Sequence, residues 1–348
     1  MAIQGRNEAS ESSERLWRER FDELVGKDEL RVLAEPSLKD TIAYSAVVWI
    51  EVVVLLVGAN LLPQLPLPWA IALGVAIVLL MGLRMNAFGV ILHEGSHGCL
   101  AKSRPLNDKL TNWLSAFWTI NSVEEYRPTH RLHHRYLGQD RDPDRTFYLV
   151  PARHGALTFM VLQDLLGVTA FRRATTRIAG TSTESGAPAS LLARPQLLVG
   201  KAVTQVVILG QFILFQGVLR GILFYAVFWL VPIVCLFPMI VRLKTITEHY
   251  DEGLRGDRMV QWTSRTSCAS WLQNHLIGSR MEYHFEHHIV PTIPYGGLRR
   301  LHEDLDAKGV FTSRADLLSG GYAKFLTRAV VTSVTVRHSQ AKRSASSG

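Results

Sequence analysis

Histidine is the residue type through which this chain could do chemistry, because its 13 histidines are clustered rather than scattered. The sequence contains three histidine boxes, HEGSH at 93–97, HRLHH at 130–134 and HFEHH at 284–288, and a lone His249 in the run TEHY. Residues three or four positions apart share one face of a helix. Each box is therefore expected to point two or three imidazoles in one direction.

These histidines predict a metal site. Imidazole suits Fe, Zn, Cu and Ni, whereas Mg and Ca prefer oxygen ligands. The histidines of the three boxes exceed what one tetrahedral zinc ion needs, and they are enough for two metal ions with open positions. Outside the boxes, His154, His302 and His338 are interpreted as ordinary surface or hydrogen-bonded residues. His275, beside Asn274, is a weak further candidate.

Four apolar runs must position the boxes. They lie at about 43–62, 69–85, 197–219 and 221–241, and each is long enough, or nearly so, to cross the hydrocarbon layer as a helix. Within them, Glu51 and Lys201 are unusual as charged residues, and Glu51 is expected to face the protein interior. The turns between the members of each pair are short. The runs are therefore predicted to form two transmembrane helical hairpins; the alternative is the core of a large soluble protein.

The distribution of basic residues predicts the orientation of these helices. The formal net charge is +8, and Lys and Arg are concentrated in the segment 98–196 and directly after the fourth run. The turn at 61–68 has none, and the turn near residue 220 has only Arg220. Because basic loops stay on the cytoplasmic side, both turns are expected outside and every box inside. The charge is thus explained without nucleic acid, for which the sequence has no binding motif.

Spacing places the boxes at one level. His93 and His97 follow the second run by about ten residues and His249 follows the fourth by about eight, so continuing helices would carry both sites some 10–15 Å past the membrane edge. The predicted fold is all-α: an integral membrane protein with four transmembrane helices as two hairpins and a cytoplasmic helical cap that holds a di-metal site. The domain organisation is a polar cytoplasmic segment at 1–40, a membrane domain at 41–320 and a C-terminal segment at 321–348, disordered from about 339.

Composition excludes several other classes. With 47% apolar and 20% charged residues, the chain is not a disordered protein, a collagen or a coiled coil. Three cysteines without a CxxC pair exclude a four-cysteine zinc or iron–sulfur site.

From about residue 40 to 310, the chain resembles the integral-membrane fatty acid desaturase/hydroxylase superfamily. The run EYHFEHHIVPTIPY at 282–295 is similar to the third histidine box of that superfamily, and TEHY at 247–250 to the segment with its extra histidine ligand. The run HRLHHRY, followed by DRDPD at 140–144, is similar to the second box and its acidic continuation.

This resemblance implies a non-haem di-iron centre with two Fe²⁺ ions and O2 as co-substrate. The positions that match its ligands are His93, His97, His130, His133, His134, His249, His284, His287 and His288. Some members add an asparagine ligand at the position of Thr245, for which Asn274 is a weak substitute. The carboxylates beside the boxes are candidates to accept the second ring N–H of a ligating histidine: Glu94, Glu248, Glu286, Asp142 and Asp144.

The favoured function is O2-dependent introduction of a double bond into a fatty acyl chain, with electrons from a separate protein such as a ferredoxin or cytochrome. The basic face could dock an acidic donor. One alternative is a desaturase or hydroxylase of the same superfamily that acts on a carotenoid, sphingolipid, alkane or small amino-acid-derived metabolite. A distant alternative is a membrane metalloprotease, because HEGSH also fits HExxH with Glu94 as general base. A metal transporter is a further alternative, which predicts ligands along the membrane path.

Overall fold

The computed structural model describes residues 21, 24–150, 155–179, 194–249 and 264–324. His154, His338 and the stretch predicted to be disordered from about 339 lie outside these residues. In chain order the helices are α1 (Lys27–Leu33), α2 (Leu38–Leu61), α3 (Leu67–His97), α4 (Arg104–Leu114), α5 (Val123–Tyr136), α6 (Arg145–Tyr148), α7 (Ala156–Leu165), α8 (Val168–Ala179), α9 (Pro195–Gln216), α10 (Val218–His249), α11 (Trp271–Gln273), α12 (His284–Ile289), α13 (Tyr295–Ala307) and α14 (Val310–Ser313).

The described part of the chain is all-α apart from one small sheet. Strands β1 (Thr266–Ser267) and β2 (Leu318–Ser319) are two residues each and pair in parallel. Short 3₁₀ turns follow α2, α4 and α14, and a π-helical turn at Asn274–Gly278 continues α11.

Four helices, α2, α3, α9 and α10, are long and apolar enough to cross a membrane. Helices α3 and α10 have 31 and 32 residues, so each is about 46–48 Å long, whereas the hydrocarbon layer is about 30 Å thick. The second apolar run of the sequence, at about 69–85, therefore forms only part of its helix. Because α3 continues to His97 and α10 to His249, the ends that carry these histidines extend beyond the apolar spans.

Special backbone positions set where these helices end. Gly98 follows α3 with a left-handed φ of +87°, and Gly217 separates α9 from α10 with a φ of +75°. The turn thus lies three residues before Arg220, which is inside α10. A Cβ on Gly221 would lie 2.6 Å from the Cα of Ile213, so glycine is required where α9 and α10 approach closely. Two π-helical turns lie in α10, at Ala226–Leu230 and Pro232–Leu236. The second begins at Pro232, which cannot donate to the helical ladder.

Buried side chains join the long helices. Met81, Met85 and Phe88 of α3 pack in one cluster with Phe212 of α9 and Trp229 of α10. The outer faces of the same helices expose valine and leucine, as expected for surfaces in contact with lipid rather than water.

Ion pairs add polar connections between elements, one of them partly exposed and one buried. Glu51 of α2 pairs with Arg84 of α3, and its other carboxylate oxygen lies 2.7 Å from His275 Nε2. Arg242 of α10 pairs with Asp164 of α7 at 2.5 Å, an ion pair that is almost completely buried. Buried charges persist only when they are paired in this way. Glu51 and His275 therefore have a structural contact with each other.

The segment before the first long helix packs on the end of the described chain. Leu33 of α1 contacts a cluster that contains Phe285 of α12, Leu298 of α13 and Phe311 of α14. A Cβ on Gly297 would lie 2.6 Å from the carbonyl oxygen of Leu33, so α13 approaches the end of α1 closely. Through Phe285, these contacts fix the position of the helix that carries the third histidine box.

Candidate metal centre

The four histidine-bearing segments meet at one place. His93 and His97 are on the last turns of α3, and His249 is the last residue of α10. The second box lies on α5 and the third on the short helix α12. In each box the i, i+3 and i+4 spacing puts the rings on one helical face, as the sequence predicted. All nine histidines therefore face a common centre.

Five imidazoles form a first group. Each offers a nitrogen, and these nitrogens lie within 4.8 Å of one another. The Nε2–Nε2 distances are 2.9 Å between His97 and His130, 3.0 Å between His130 and His134, and 3.2 Å between His134 and His287. The members of this group are His93, His97, His130, His134 and His287.

The other four imidazoles form a second group beside the first. His133, His249 and His288 offer nitrogens within 4.8 Å of one another. The Nε2 atom of His284 lies 2.8 Å from His249 Nε2 and 3.1 Å from His288 Nε2. The two groups are adjacent, because the rings of His134 and His288 stack with centroids 4.3 Å apart.

The chemistry of these donors fits two metal ions. Both ring nitrogens of His93 are buried and have no hydrogen-bond partner among the described residues, and a bound ion would supply one. Metal binding also requires neutral imidazoles. Burial, reinforced by neighbouring imidazoles, lowers the pKa well below its ordinary value for His130, His134, His284, His287 and His288.

His133 differs electrostatically from its neighbours. Burial opposes its protonation, but the hydrogen bond and the charge of Asp142 outweigh burial and raise its pKa. The Nδ1 atom of His133 lies 3.0 Å from Asp142 Oδ1, so its Nε2 atom is left for the centre. The Tyr148 hydroxyl donates to the same carboxylate. Asp142 thus orients the ring of His133 as an outer partner.

The other carboxylates beside the boxes have different contacts. Glu94 turns away from the centre, and its Oε2 accepts the backbone N–H of Tyr295 at 3.1 Å. Glu286 accepts from Thr266 and lies against His302, and Asp144 pairs with Arg173 at 2.8 Å. None of these three contacts a ring nitrogen of the nine histidines. The orientation of Glu94 also removes the general base that the metalloprotease alternative needs.

Glu248 is the exception among these acids. Its carboxylate is grouped with His249 and His284 as a third set of possible metal-binding atoms. Sequence reasoning treated Glu248 as a partner for a second ring N–H. In the structure it faces Nε2 of His284 instead, at 3.8 Å from Oε2.

The two positions considered for an amide ligand make hydrogen bonds to nearby backbone carbonyls. Thr245 donates its hydroxyl to the carbonyl of Val241 at 2.7 Å, within its own helix. Asn274 lies on α11's π-helical continuation and donates to Ala269 O at 3.4 Å.

Two tyrosines near the centre were missed by sequence reasoning. Tyr126 stacks on His130, and its hydroxyl lies 3.2 Å from His130 Nδ1. Tyr126 lies four residues before His130 on α5, and this spacing could have identified it in the sequence. Tyr148 reaches Asp142 from α6, which only the tertiary structure reveals.

A cavity of about 500 Å³ opens beside the centre. His93, His133 and His284 are part of its wall, and apolar side chains of α3, α6, α8 and α10 form much of the rest. Polar groups also line it, among them Asn86 and Asn121. The arrangement can hold an apolar chain against the histidine cluster.

Comparison with known proteins agrees with this geometry. A family description for fatty acid desaturases matches residues 67–312. Dihydrorhizobitoxine desaturase of Bradyrhizobium elkanii is 26% identical over 237 residues, which are 63% of this chain. The chain spans 63% of the length of that relative. The family match covers most of this chain, which therefore belongs to the fatty acid desaturase family.

Proposed function

We propose that this protein is a membrane-bound, O2-dependent di-iron desaturase that introduces a double bond into a fatty acyl chain. The observation that carries the proposal is the pair of adjacent imidazole groups beside a largely apolar cavity. The nine histidines of the two groups would hold the two iron ions. With O2 and electrons, such a pair supplies the oxidising power to remove hydrogen from an unactivated C–H bond.

The chain's own residues would position the substrate and exclude water. Val90 of α3, Phe147 of α6 and Phe237 and Val241 of α10 line the cavity and offer apolar contact to a methylene chain. A chain held there would present one pair of neighbouring carbons to the histidine cluster. The depth of the cavity would then determine at which carbons of the acyl chain the double bond is introduced.

The membrane topology is part of the proposal. We expect α2 with α3 and α9 with α10 to form two transmembrane hairpins in a domain at about 41–320, with the remaining helices as a cytoplasmic cap. The positive-inside rule supports this orientation, because the basic segment 98–196 lies between the hairpins. A separate ferredoxin or cytochrome would deliver electrons from the cytoplasm.

A second candidate substrate is a small, polar metabolite. The relative named above is a desaturase of dihydrorhizobitoxine by its name. Amide side chains in the cavity, Asn86 and Asn121, could bind polar groups of such a molecule. A hydroxylase of the same family would use the same centre and differ in its product.

Product analysis tests these proposals. Cells that produce the wild type, His284→Ala or His133→Ala are compared by lipid and polar-metabolite profiling, with membrane insertion checked for each. We expect a new unsaturated acyl species with the wild type and with neither His284→Ala nor His133→Ala. His275→Gln is the matched control, since His275 contacts Glu51 rather than the centre, and it should retain the product. Full activity of His133→Ala would contradict the proposed centre.

A further inference from the structure

Glu248 is a buried carboxylate that faces the histidine cluster. It immediately precedes His249 at the end of α10, and its side chain is only 2% exposed. Its Oε2 accepts no hydrogen bond within the described part of the chain. Burying a carboxylate oxygen without a hydrogen-bond donor costs folding free energy unless a positively charged group, such as a metal ion, lies close to it.

The direction of the Glu248 side chain shows what its Oε2 atom faces. Oε2 lies 3.8 Å from Nε2 of His284, and the ligand atoms of Glu248, His249 and His284 all lie within 4.8 Å of one another. Nε2 of His284 is the nitrogen that faces other imidazoles of the cluster, at 2.8 and 3.1 Å. Glu248 therefore points into the cluster and not at its outer side.

The two imidazole groups are unequal. The first has five members. The second has four once His284 is included by its short distances to His249 and His288, and Glu248 lies beside this second group. We propose that the Glu248 carboxylate is a tenth ligand, which completes the second metal position with one oxygen donor. This inference rests on the proposed di-iron function, and it makes the two metal positions chemically inequivalent.

Lys244 is the ion-pair partner of the other carboxylate oxygen. Its Nζ lies 2.8 Å from Oε1 of Glu248, one helical turn earlier on α10, and both side chains are buried. Lys244 thus compensates one oxygen and leaves Oε2 toward the cluster. The ion pair would hold the carboxylate in place before the ion binds, and it would not itself be a ligand.

Metal titration tests the assignment without turnover. The full-length protein is purified in detergent, stripped with a chelator and titrated with Co²⁺, which prefers similar ligands and absorbs visible light according to its donors. We expect two equivalents for the wild type. Glu248→Gln should weaken one equivalent by at least about tenfold, equal to about 1.4 kcal/mol, and leave the other unchanged.

Matched variants separate a ligand from a structural ion-pair partner. Glu94→Gln, another buried glutamate beside a box histidine, should keep both equivalents, because Glu94 contacts Tyr295 instead. Lys244→Met should also keep both, whereas a purely structural pair predicts equal losses for Lys244→Met and Glu248→Gln. If Glu248→Gln does not fold, Glu248→Asp should shift the visible band of one equivalent alone.

The outcomes distinguish this inference from the proposed function. Two equivalents with unchanged affinities in Glu248→Gln would overturn the tenth ligand and leave the di-metal centre intact. Fewer than two equivalents in the wild type would overturn both.

Discussion

Individual histidines of the cluster differ in the group that contacts their Nδ1 atom, on the side of the ring away from the centre. His133 has a charged outer partner in Asp142, whereas His130 has the neutral hydroxyl of Tyr126. A carboxylate on Nδ1 fixes the tautomer of an imidazole and increases its basicity. We therefore expect His133 to be the strongest imidazole donor of the second group.

Asp142→Asn tests the importance of this outer contact. The amide keeps the shape of the carboxylate but loses its charge, so His133 becomes a weaker donor and its ring is less firmly oriented. We expect metal affinity or turnover to fall by about 10- to 100-fold, measured as bound iron per chain and as product formed.

Asp140→Asn is the control for this substitution. Asp140 is 89% exposed and pairs with Arg145 on the surface, two residues before Asp142. It should retain iron and activity. Equal losses in both variants would show that the acidic segment acts through its general charge and not through His133.

At the scale of elements, helix length and packing decide where the histidines meet. Hydropathy predicted the four helices that are long and apolar enough to cross a membrane, since apolar runs of about 20 residues are typical of membrane spans. Continuation of the second helix to His97 was also expected from the spacing, and the structure confirms it; what the sequence did not show is how the end of this helix is packed. Residues 86–97 are polar in part, and their burial depends on contacts with α4 and α5 that local sequence does not encode.

The sequence also did not predict which groups the acidic side chains contact. Glu94 follows a histidine of the first box and Glu248 precedes the lone His249, and spacing alone gives both glutamates the same role. In the structure Glu94 reaches the backbone of Tyr295, 201 residues later, whereas Glu248 faces His284. Long-range partners of this kind depend on how helices rotate against each other, so sequence patterns identified the ligand candidates better than their surroundings.

Gly95 is the position where the first histidine box meets α4 most closely. A Cβ at this position would lie 1.9 Å from Thr111 Oγ1 and 2.7 Å from Thr111 Cβ. Gly95→Ala must therefore push α4 away from His93 and His97. We expect a loss of about 1–3 kcal/mol in stability, seen as a lower Tm in detergent, together with reduced iron binding.

Two variants check this explanation. Thr111→Ala removes the hydroxyl and methyl groups nearest to the new methyl group, so the double variant should recover part of the loss. Gly210→Ala on α9 has open space around its Cβ and should leave Tm nearly unchanged. A stable Gly95→Ala protein with full iron would contradict the close approach.

At the scale of the whole molecule, the centre joins segments that are far apart in the chain. Ions bound there would connect α3, α5, α10 and α12, and would bind the folded state but not the unfolded one. Such linkage stabilises by RT ln(1 + [L]/Kd), about 2.7 kcal/mol at 100-fold saturation. We expect a chelator to lower Tm by several degrees and added Fe²⁺ to restore it; a His133→Ala/His287→Ala protein should show a smaller shift.

Orientation in the membrane is the last property of the whole molecule that the charge pattern predicts. Gln64 lies in the exposed turn between α2 and α3, and Arg299, 73% exposed, lies on α13 near the third histidine box. After replacement of Cys99, Cys235 and Cys268, a single cysteine is introduced at either position. An impermeant maleimide should label Gln64→Cys on intact cells and Arg299→Cys only after permeabilisation. The reverse pattern would place the histidine cluster outside, where a cytoplasmic ferredoxin or cytochrome could not reach it.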